Sequence, residues 1–231
     1  RRDLEDKLSR LNAKIVSQRS ETNSLDSKVT LTFSPNCAKK VITAYLDAFV
    51  KEFGEKIYAD SDCSLAETVV KLLNERYKTV ATAESITGGM IASSIVDVPG
   101  ASNVLQEGCV TYSVEAKCRR LGISPHLVDE YGVVSAQVAK EMALAQLDNA
   151  DYSVATTGYA GPLADRGMPV GLCYIGVGCN TARGKSVRVY KNVFGGDRNS
   201  IRHQVTNTAL YLLIRSMVNA EFFSVKNNLG E

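Results

Sequence analysis

The chain has 231 residues and 45% hydrophobic content, enough for one well-buried α/β core with a smaller accessory unit. A formal net charge of +2, with Lys and Arg scattered among Asp and Glu, gives no footprint for nucleic acid. The sequence has no run of about 18 apolar residues and opens on charged and polar residues, so neither a membrane span nor a signal peptide is expected.

In chain order, Leu4, Leu8, Leu11 and Ile15 fall at helical spacing, which predicts an amphipathic helix over residues 4–18. The polar stretch Gln18 to Ser27 reads as a loop. Val29, Leu31 and Phe33 then alternate with polar residues, the pattern of a half-buried strand over Lys28 to Phe33. Ser34-Pro35-Asn36 opens a helix running to about Lys56. Residues 1–61 therefore form a small α+β accessory unit, with Ser61-Asp62-Cys63 as its linker to the rest.

Ser64-Leu65-Ala66-Glu67 is a capping box: the serine bonds the N–H of the fourth residue and the glutamate reaches back. Its helix carries Leu65, Val69, Leu72 and Leu73 inward and ends near Tyr77. Thr79 to Ala83 is a short strand. Beyond it strands at Glu107–Thr111, Asp151–Thr156, Val170–Cys179 and Ser186–Val193 alternate with helices at Thr87–Val96, Ser135–Leu147 and Arg198–Val218, with a weaker helix after Val114. Such alternation implies the α/β class, a three-layer α/β/α arrangement with helices on both faces of a sheet. The last two strands are joined only by Thr181–Gly184, so the sheet is expected to be mixed. The main domain is drawn over 64–222, with a tail at 223–231.

Cys37, Cys63, Cys109, Cys118, Cys173 and Cys179 show no C-x-x-C spacing, and reduced structural thiols of a cytoplasmic protein are expected. The two histidines, His126 and His203, have no partner at metal-ligand spacing; no metal and no cofactor are expected. Neither lies near a serine-bearing turn.

Chemistry is concentrated at strand ends. Ala83-Glu84-Ser85-Ile86-Thr87-Gly88-Gly89 lies between a strand and a helix, where open α/β sheets bind ligands and glycines let an anion approach the backbone. Thr111-Tyr112-Ser113 leaves a second strand and leads to Lys117. Thr157-Gly158-Tyr159-Ala160-Gly161-Pro162 ends a third. Gly195-Gly196-Asp197-Arg198 precedes the final helix and offers Arg198 as a planar anion clamp, with Arg202 one turn on. Taken singly, each has a plainer reading: a capped helix start, a solvated lysine, a helix-start salt bridge, a core tyrosine with its hydroxyl at the rim.

Together these segments carry a resemblance. Ala83-Glu84-Ser85-x-Thr87-Gly88-Gly89, Thr111-Tyr112-Ser113-x-Glu115-Ala116-Lys117, Gly132-x-Val134-Ser135, Thr157-Gly158-x-Ala160-Gly161-Pro162, Pro169-Val170-Gly171 and Gly196-Asp197-Arg198 occur in that order. The series resembles the CinA C-terminal family, whose stand-alone bacterial members are nicotinamide-nucleotide amidases. Lys40 to Ala59 resembles the small linker domain that precedes this unit in full-length CinA proteins.

The resemblance implies hydrolysis of the amide of nicotinamide mononucleotide. Ser85 would be nucleophile and Lys117 base, with Tyr112 relaying or orienting the proton. It further implies Thr157 and Gly158 against amide or ribose, and Arg198, with Arg202, on the 5′-phosphate. Backbone N–H groups of Thr87, Gly88 and Gly89 are expected to hold the oxyanion, with Glu84 orienting its neighbours. A small nucleotide is the implied partner, with a homodimer and neither nucleic acid nor membrane. The sequence departs from the family at Ile86 (commonly Cys), at Val114 (commonly Asn), at Tyr159 (a small aliphatic residue) and in Leu163 to Met168, where glycines are usual. A nucleotide-binding or assembly module without turnover is the alternative reading.

Overall fold

The computed structural model describes residues 16–22, 27–163 and 167–219. The chain divides into two compact units, Arg1–Asp62 and Cys63–Glu231.

In the first unit, β1 (Val16–Thr22) pairs antiparallel with β2 (Ser27–Phe33), from Val16 opposite Phe33 to Thr22 opposite Ser27. Val29, Leu31 and Phe33 are the half-buried positions of β2, as its alternation predicts. Helix α1 (Lys39–Phe53) follows, and a single 3₁₀ turn completes it at Lys56. Phe33 meets Tyr45 edge-on at 5.7 Å between ring centroids. Two expectations are corrected here. Val16–Gln18 is strand rather than the end of a helix, and Gln18–Thr22 is strand rather than loop. Ser17 to Thr22 has no apolar side chain to advertise a period, so the pairing rests on main-chain hydrogen bonds that a side-chain pattern does not report. The remainder of the predicted helix, residues 4–15, lies outside the described residues, as do residues 220–222 and the tail.

The second unit begins with the capping box: Glu67 N–H donates to Ser64 Oγ at 3.2 Å, and Ser64 N–H donates to Glu67 Oε2 at 2.7 Å. Helix α2 (Leu65–Glu75) leads to β3 (Val80–Glu84), then α3 (Met90–Val96), β4 (Leu105–Val110), α4 (Val114–Leu121) and α5 (Pro125–Tyr131). Helix α6 (Ala136–Gln146), β5 (Tyr152–Gly158), β6 (Leu172–Thr181), β7 (Gly184–Val193) and α7 (Arg198–Val218) complete it. Ser113, Ser135 and Asp197 cap α4, α6 and α7 through their side-chain oxygens. Helix α5 has no counterpart among the predicted elements, although Ser124 followed by Pro125 is a helix-start signal.

The five strands lie in the order β4-β3-β5-β6-β7. β3 runs parallel to β4 and β5, while β6 is antiparallel to both β5 and β7. The sheet is therefore mixed, as the short Thr181–Gly184 connection requires. Helix α6 packs against β3, β5, β6 and β7 with α4 and α5 beside it; α7 covers β5 and β6 together with α2 and α3. Strand β5 sits centrally and Ser153 to Thr157 are all buried, which is what coverage of both faces dictates. Val138, Met142 and Ala143 of α6 pack with Ala83 and Ala155 of the sheet.

Four strands (β3, β4, β5 and β7) point the same way, so their carboxyl ends share one edge. Everything that follows β3, β4, β5 and β7 is delivered there: the Ser85 turn, Tyr112, the Tyr159–Gly161 segment and Arg198. No described helix is long and apolar enough to cross a membrane. None of the six cysteines forms a disulfide, and burial pushes the thiols of Cys173 and Cys179 up to about 12 and about 11, holding them unreactive.

Candidate active site

A cleft of about 250 Å³ opens at the shared carboxyl edge, near the lower end of the range for small-molecule sites. Its polar lining is Ser85, Tyr112, Lys117, Thr157 and Arg198; its apolar lining includes Ile86, Val133, Val134, Tyr159 and Leu163.

Lys117 is the unusual member. It sits on α4, one turn past the Ser113 cap, and its side chain is fully buried. Nζ donates to Ser85 Oγ at 2.9 Å and to the Thr111 carbonyl at 2.7 Å, with the Tyr112 carbonyl at 3.5 Å. No carboxylate among the described residues pairs with it. Burial therefore acts against the charged form, outweighs the opposing pull of the neighbouring Cys118 thiol, and brings the ammonium down from the usual 10.5 to about 8. At pH 7 about one molecule in ten then carries a free amine. Such an amine keeps two N–H donors for the two carbonyls and turns its lone pair to the serine hydroxyl.

Ser85 begins the turn between β3 and α3, its N–H tied to the Thr156 carbonyl at 3.0 Å. The helix starts at Met90, not at Thr87: Gly88 (φ 61) and Gly89 (φ 94) are left-handed, so the preceding residues form a turn outside the helix. This corrects the assigned oxyanion donors. Gly88 N–H donates to the Ser85 carbonyl at 3.1 Å, and Gly89 N–H to Glu84 Oε2 at 2.9 Å. Both are occupied. The N–H groups of Ile86 and Thr87 donate to no acceptor among the described residues, and Ile86 lines the cleft.

Thr87 is fully buried and its hydroxyl meets Thr156 Oγ1 at 2.8 Å, so it joins the turn after β3 to β5 rather than facing the cleft. Thr157 lines the cleft while donating to the Val133 carbonyl at 2.9 Å. Gly158 lines it too, and no side chain fits there: a Cβ would lie 2.6 Å from Cys173 Cβ and 2.8 Å from the Ile86 methyl.

Arg198 and Arg202, one helical turn apart, do different things. Arg198 is exposed at the mouth; its guanidinium donates to Tyr112 Oη at 2.8 Å and to the Gly161 carbonyl at 2.7 Å. The Tyr112 phenol is thus joined to the guanidinium. Arg202 turns inward, donating from Nε to the Ile86 carbonyl at 3.2 Å and from Nη2 to the Thr87 carbonyl at 2.9 Å. It does not line the cleft. Of the residues predicted for the site, the structure brings Ser85, Tyr112, Lys117, Thr157, Gly158 and Arg198 to the cleft and leaves Thr87, Gly88, Gly89 and Arg202 behind its wall. Val133 and Ile86 line it without having been assigned a role from the sequence. Val134 stood in the motif Gly132-x-Val134-Ser135 as the residue before a helix cap, with nothing to signal a wall. Among the described residues no three His, Cys, Asp or Glu side chains gather to hold a metal ion.

Comparison with known proteins agrees with this architecture. A "putative competence-damage inducible protein" of Clostridium beijerinckii is 44% identical over 184 residues, covering 78% of this chain and 44% of its own length. A "CinA-like protein" of Chlorobaculum tepidum is 42% identical over 181 residues, covering 77% and 43%. The chain thus spans less than half the length of these curated relatives. Among solved structures, the competence/damage inducible protein CihA of Agrobacterium tumefaciens superposes with a TM-score of 0.62 at 34% identity, over 66% of this chain and 93% of its own. The competence damage-inducible protein A of Klebsiella pneumoniae does so with a TM-score of 0.64 at 28% identity, over 68% and 96%. The family model of the CinA C-terminal domain matches residues 62–217, which takes in the whole sheet, all four strand ends and every residue of the cleft. On that match the chain belongs to the CinA C-terminal domain family.

Proposed function

We propose that the cleft hydrolyses the carboxamide of nicotinamide mononucleotide to nicotinate mononucleotide and ammonia. The observation that carries this reading is the buried Lys117 amine held 2.9 Å from Ser85 Oγ. Amide hydrolysis needs a nucleophile, a base and donors for the oxyanion. The neutral amine removes the Ser85 proton as Oγ adds to the amide carbon. The pyridinium ring withdraws electrons from that carbon and makes it a better acceptor. As the tetrahedral intermediate collapses, the C–N bond breaks and the Lys117 ammonium returns the proton to the departing nitrogen, which leaves as ammonia. Water, deprotonated by the same amine, then cleaves the acyl–serine ester, and the proton returns to Ser85. The N–H group of Ile86, which lines the cleft, is the candidate oxyanion donor, a contribution of about 3 kcal/mol. Arg198 at the mouth would take the phosphate in bidentate fashion, exchanging its neutral partners for a charged one.

Incubating the protein with nicotinamide mononucleotide and measuring ammonia and nicotinate mononucleotide tests the proposal. Stoichiometric release that disappears in Ser85→Ala supports it. No release from protein shown folded by circular dichroism overturns it.

A second reading rests on Tyr159 and on Leu163, which is 82% exposed at the mouth. Bulk there would suit a domain that binds nucleotides or assembles without turnover. It predicts a rise in Tm with nucleotide and no consumption.

A further inference from the structure

We infer that Glu84 and Arg202 are positioning residues that grip the Ser85 turn at its far end and at its middle and hold the hydroxyl at its distance from Lys117. The inference rests on the Ser85–Lys117 reading of the cleft.

Glu84 is the last residue of β3 and is fully buried. Its Oε2 accepts from Gly89 N–H at 2.9 Å and from Ile91 N–H at 3.1 Å; its Oε1 accepts from Ala92 N–H at 2.9 Å and from the Thr82 hydroxyl at 3.3 Å. One carboxylate thereby satisfies three amides around the start of α3, a place where a helix leaves N–H groups without partners and favours negative charge. The side chain immediately before the nucleophile is spent on fixing where the turn ends.

Arg202 fixes the middle. Its two bonds to the Ile86 and Thr87 carbonyls come from α7, an element far away in sequence. Because the peptide is planar and trans, holding a carbonyl on one side turns the N–H of the next residue to the other. Engagement of the Thr87 carbonyl is therefore coupled to the Gly88 N–H that closes the turn on the Ser85 carbonyl at 3.1 Å. A Cβ at Gly88 would lie 3.2 Å from Arg202 Nη2, so the guanidinium lies close against the turn. With Ser85 N–H fixed to β5 as well, Oγ has little freedom except rotation about its own side-chain bond.

This gives Arg202 a role distinct from that of Arg198. Two arginines four positions apart would suit a pair of phosphate ligands, yet only Arg198 opens on the cleft. Arg202 has its donors on the Ile86 and Thr87 carbonyls of the turn and does not line the cleft.

The test compares Arg202→Gln, Arg202→Lys and Glu84→Gln with Arg198→Gln, by steady-state kinetics well below each variant's Tm and by crystal structures of the variants. For Arg202→Gln and Glu84→Gln we expect kcat to fall about 100-fold, the effect of a misplacement near 1 Å, with KM within about twofold. Arg202→Lys keeps one donor and recovers part of kcat. Arg198→Gln shows the opposite split, with KM raised. The crystal structures are expected to show Ser85 Oγ displaced from Lys117 Nζ beyond hydrogen-bond reach. A large rise in KM with unchanged kcat for Arg202→Gln would make it a substrate ligand and overturn the inference. So would a Ser85 turn that superposes on the wild type in both variants. If the wild type releases no ammonia from the mononucleotide, the amidase reading fails, and the crystallographic distance still decides whether the two side chains hold the turn.

Discussion

Lys117 Nζ lies 2.9 Å from Ser85 Oγ, although 32 positions separate them and they sit on different crossovers of the sheet. The pair exists because β3 and β4 are parallel neighbours whose carboxyl ends deliver the serine turn and helix α4 to one edge. The amine has carbonyls and a hydroxyl for company and no described carboxylate, which makes it a base near neutrality.

Activity should therefore rise with pH. In the proposed mechanism the active form is the neutral amine, and burial sets its midpoint at about 8. The plot of kcat/KM against pH is expected to rise with unit slope through that region and then level off. A bound pyridinium adds a like charge and disfavours the ammonium further, so the midpoint in kcat should lie lower than in kcat/KM. A rate that falls as pH is raised from 6 to 8 would contradict this assignment.

The same amine weakens the fold at neutral pH. Its folded value of about 8 lies below the usual 10.5, so between those two values the unfolded chain binds more protons and stability rises with pH. The full difference is about 3 kcal/mol, gained by the folded protein as pH rises from below 8 to above 10.5. Lys117→Met, with no group to protonate, should lose all turnover and gain Tm relative to wild type at pH 7. The advantage should shrink as pH approaches 10, measured by thermal melts across that range.

Arg198 should act on binding more than on chemistry. Replacing it by Gln removes the charged group that lines the mouth of the cleft among the described residues. The loss of a charged hydrogen bond is worth about 2 kcal/mol, so KM should rise by roughly 30-fold. Tyr112→Phe frees the guanidinium from the phenol and should change KM far less. Initial-rate measurements on both variants check the order.

Gly158→Ala should damage fold and site together. The new methyl would meet Cys173 Cβ, the Ile86 methyl and the Leu172 carbonyl, all within 2.8 Å. Overpacking of this kind costs about 1–3 kcal/mol, and Ile86, the neighbour of Ser85, can yield only by disturbing the Ser85 turn. Denaturant unfolding and kcat should fall together; an unchanged midpoint would show that the wall is softer than its contacts imply.

Much of the fold was legible because its cues are local. Ser64 and Glu67 meet across three residues, and their capping box forms as read. Alternating strands and helices implied both faces of the sheet covered, and the short link at Thr181–Gly184 implied its antiparallel arm. The β1 strand looks like helix and loop in the sequence because its pairing is made by backbone groups that every sequence possesses. Helix α5 spans only seven residues, too few to show a period, and Ser124-Pro125 is its one local cue. At the site, the residues bearing reactive groups could be named from their motifs, while the direction each one faces could not.

Residue order alone determined which chemistry the chain carries: a serine on a glycine-bearing turn, a lysine one turn into a helix, and arginines at the start of another. Packing alone decided how those groups are used. It removed water from Lys117, gave the helix-start amides to Glu84, and sent Arg198 outward but Arg202 into the wall. A side chain's reach is local, but its solvation and its partners are set by elements that meet only after the sheet has assembled.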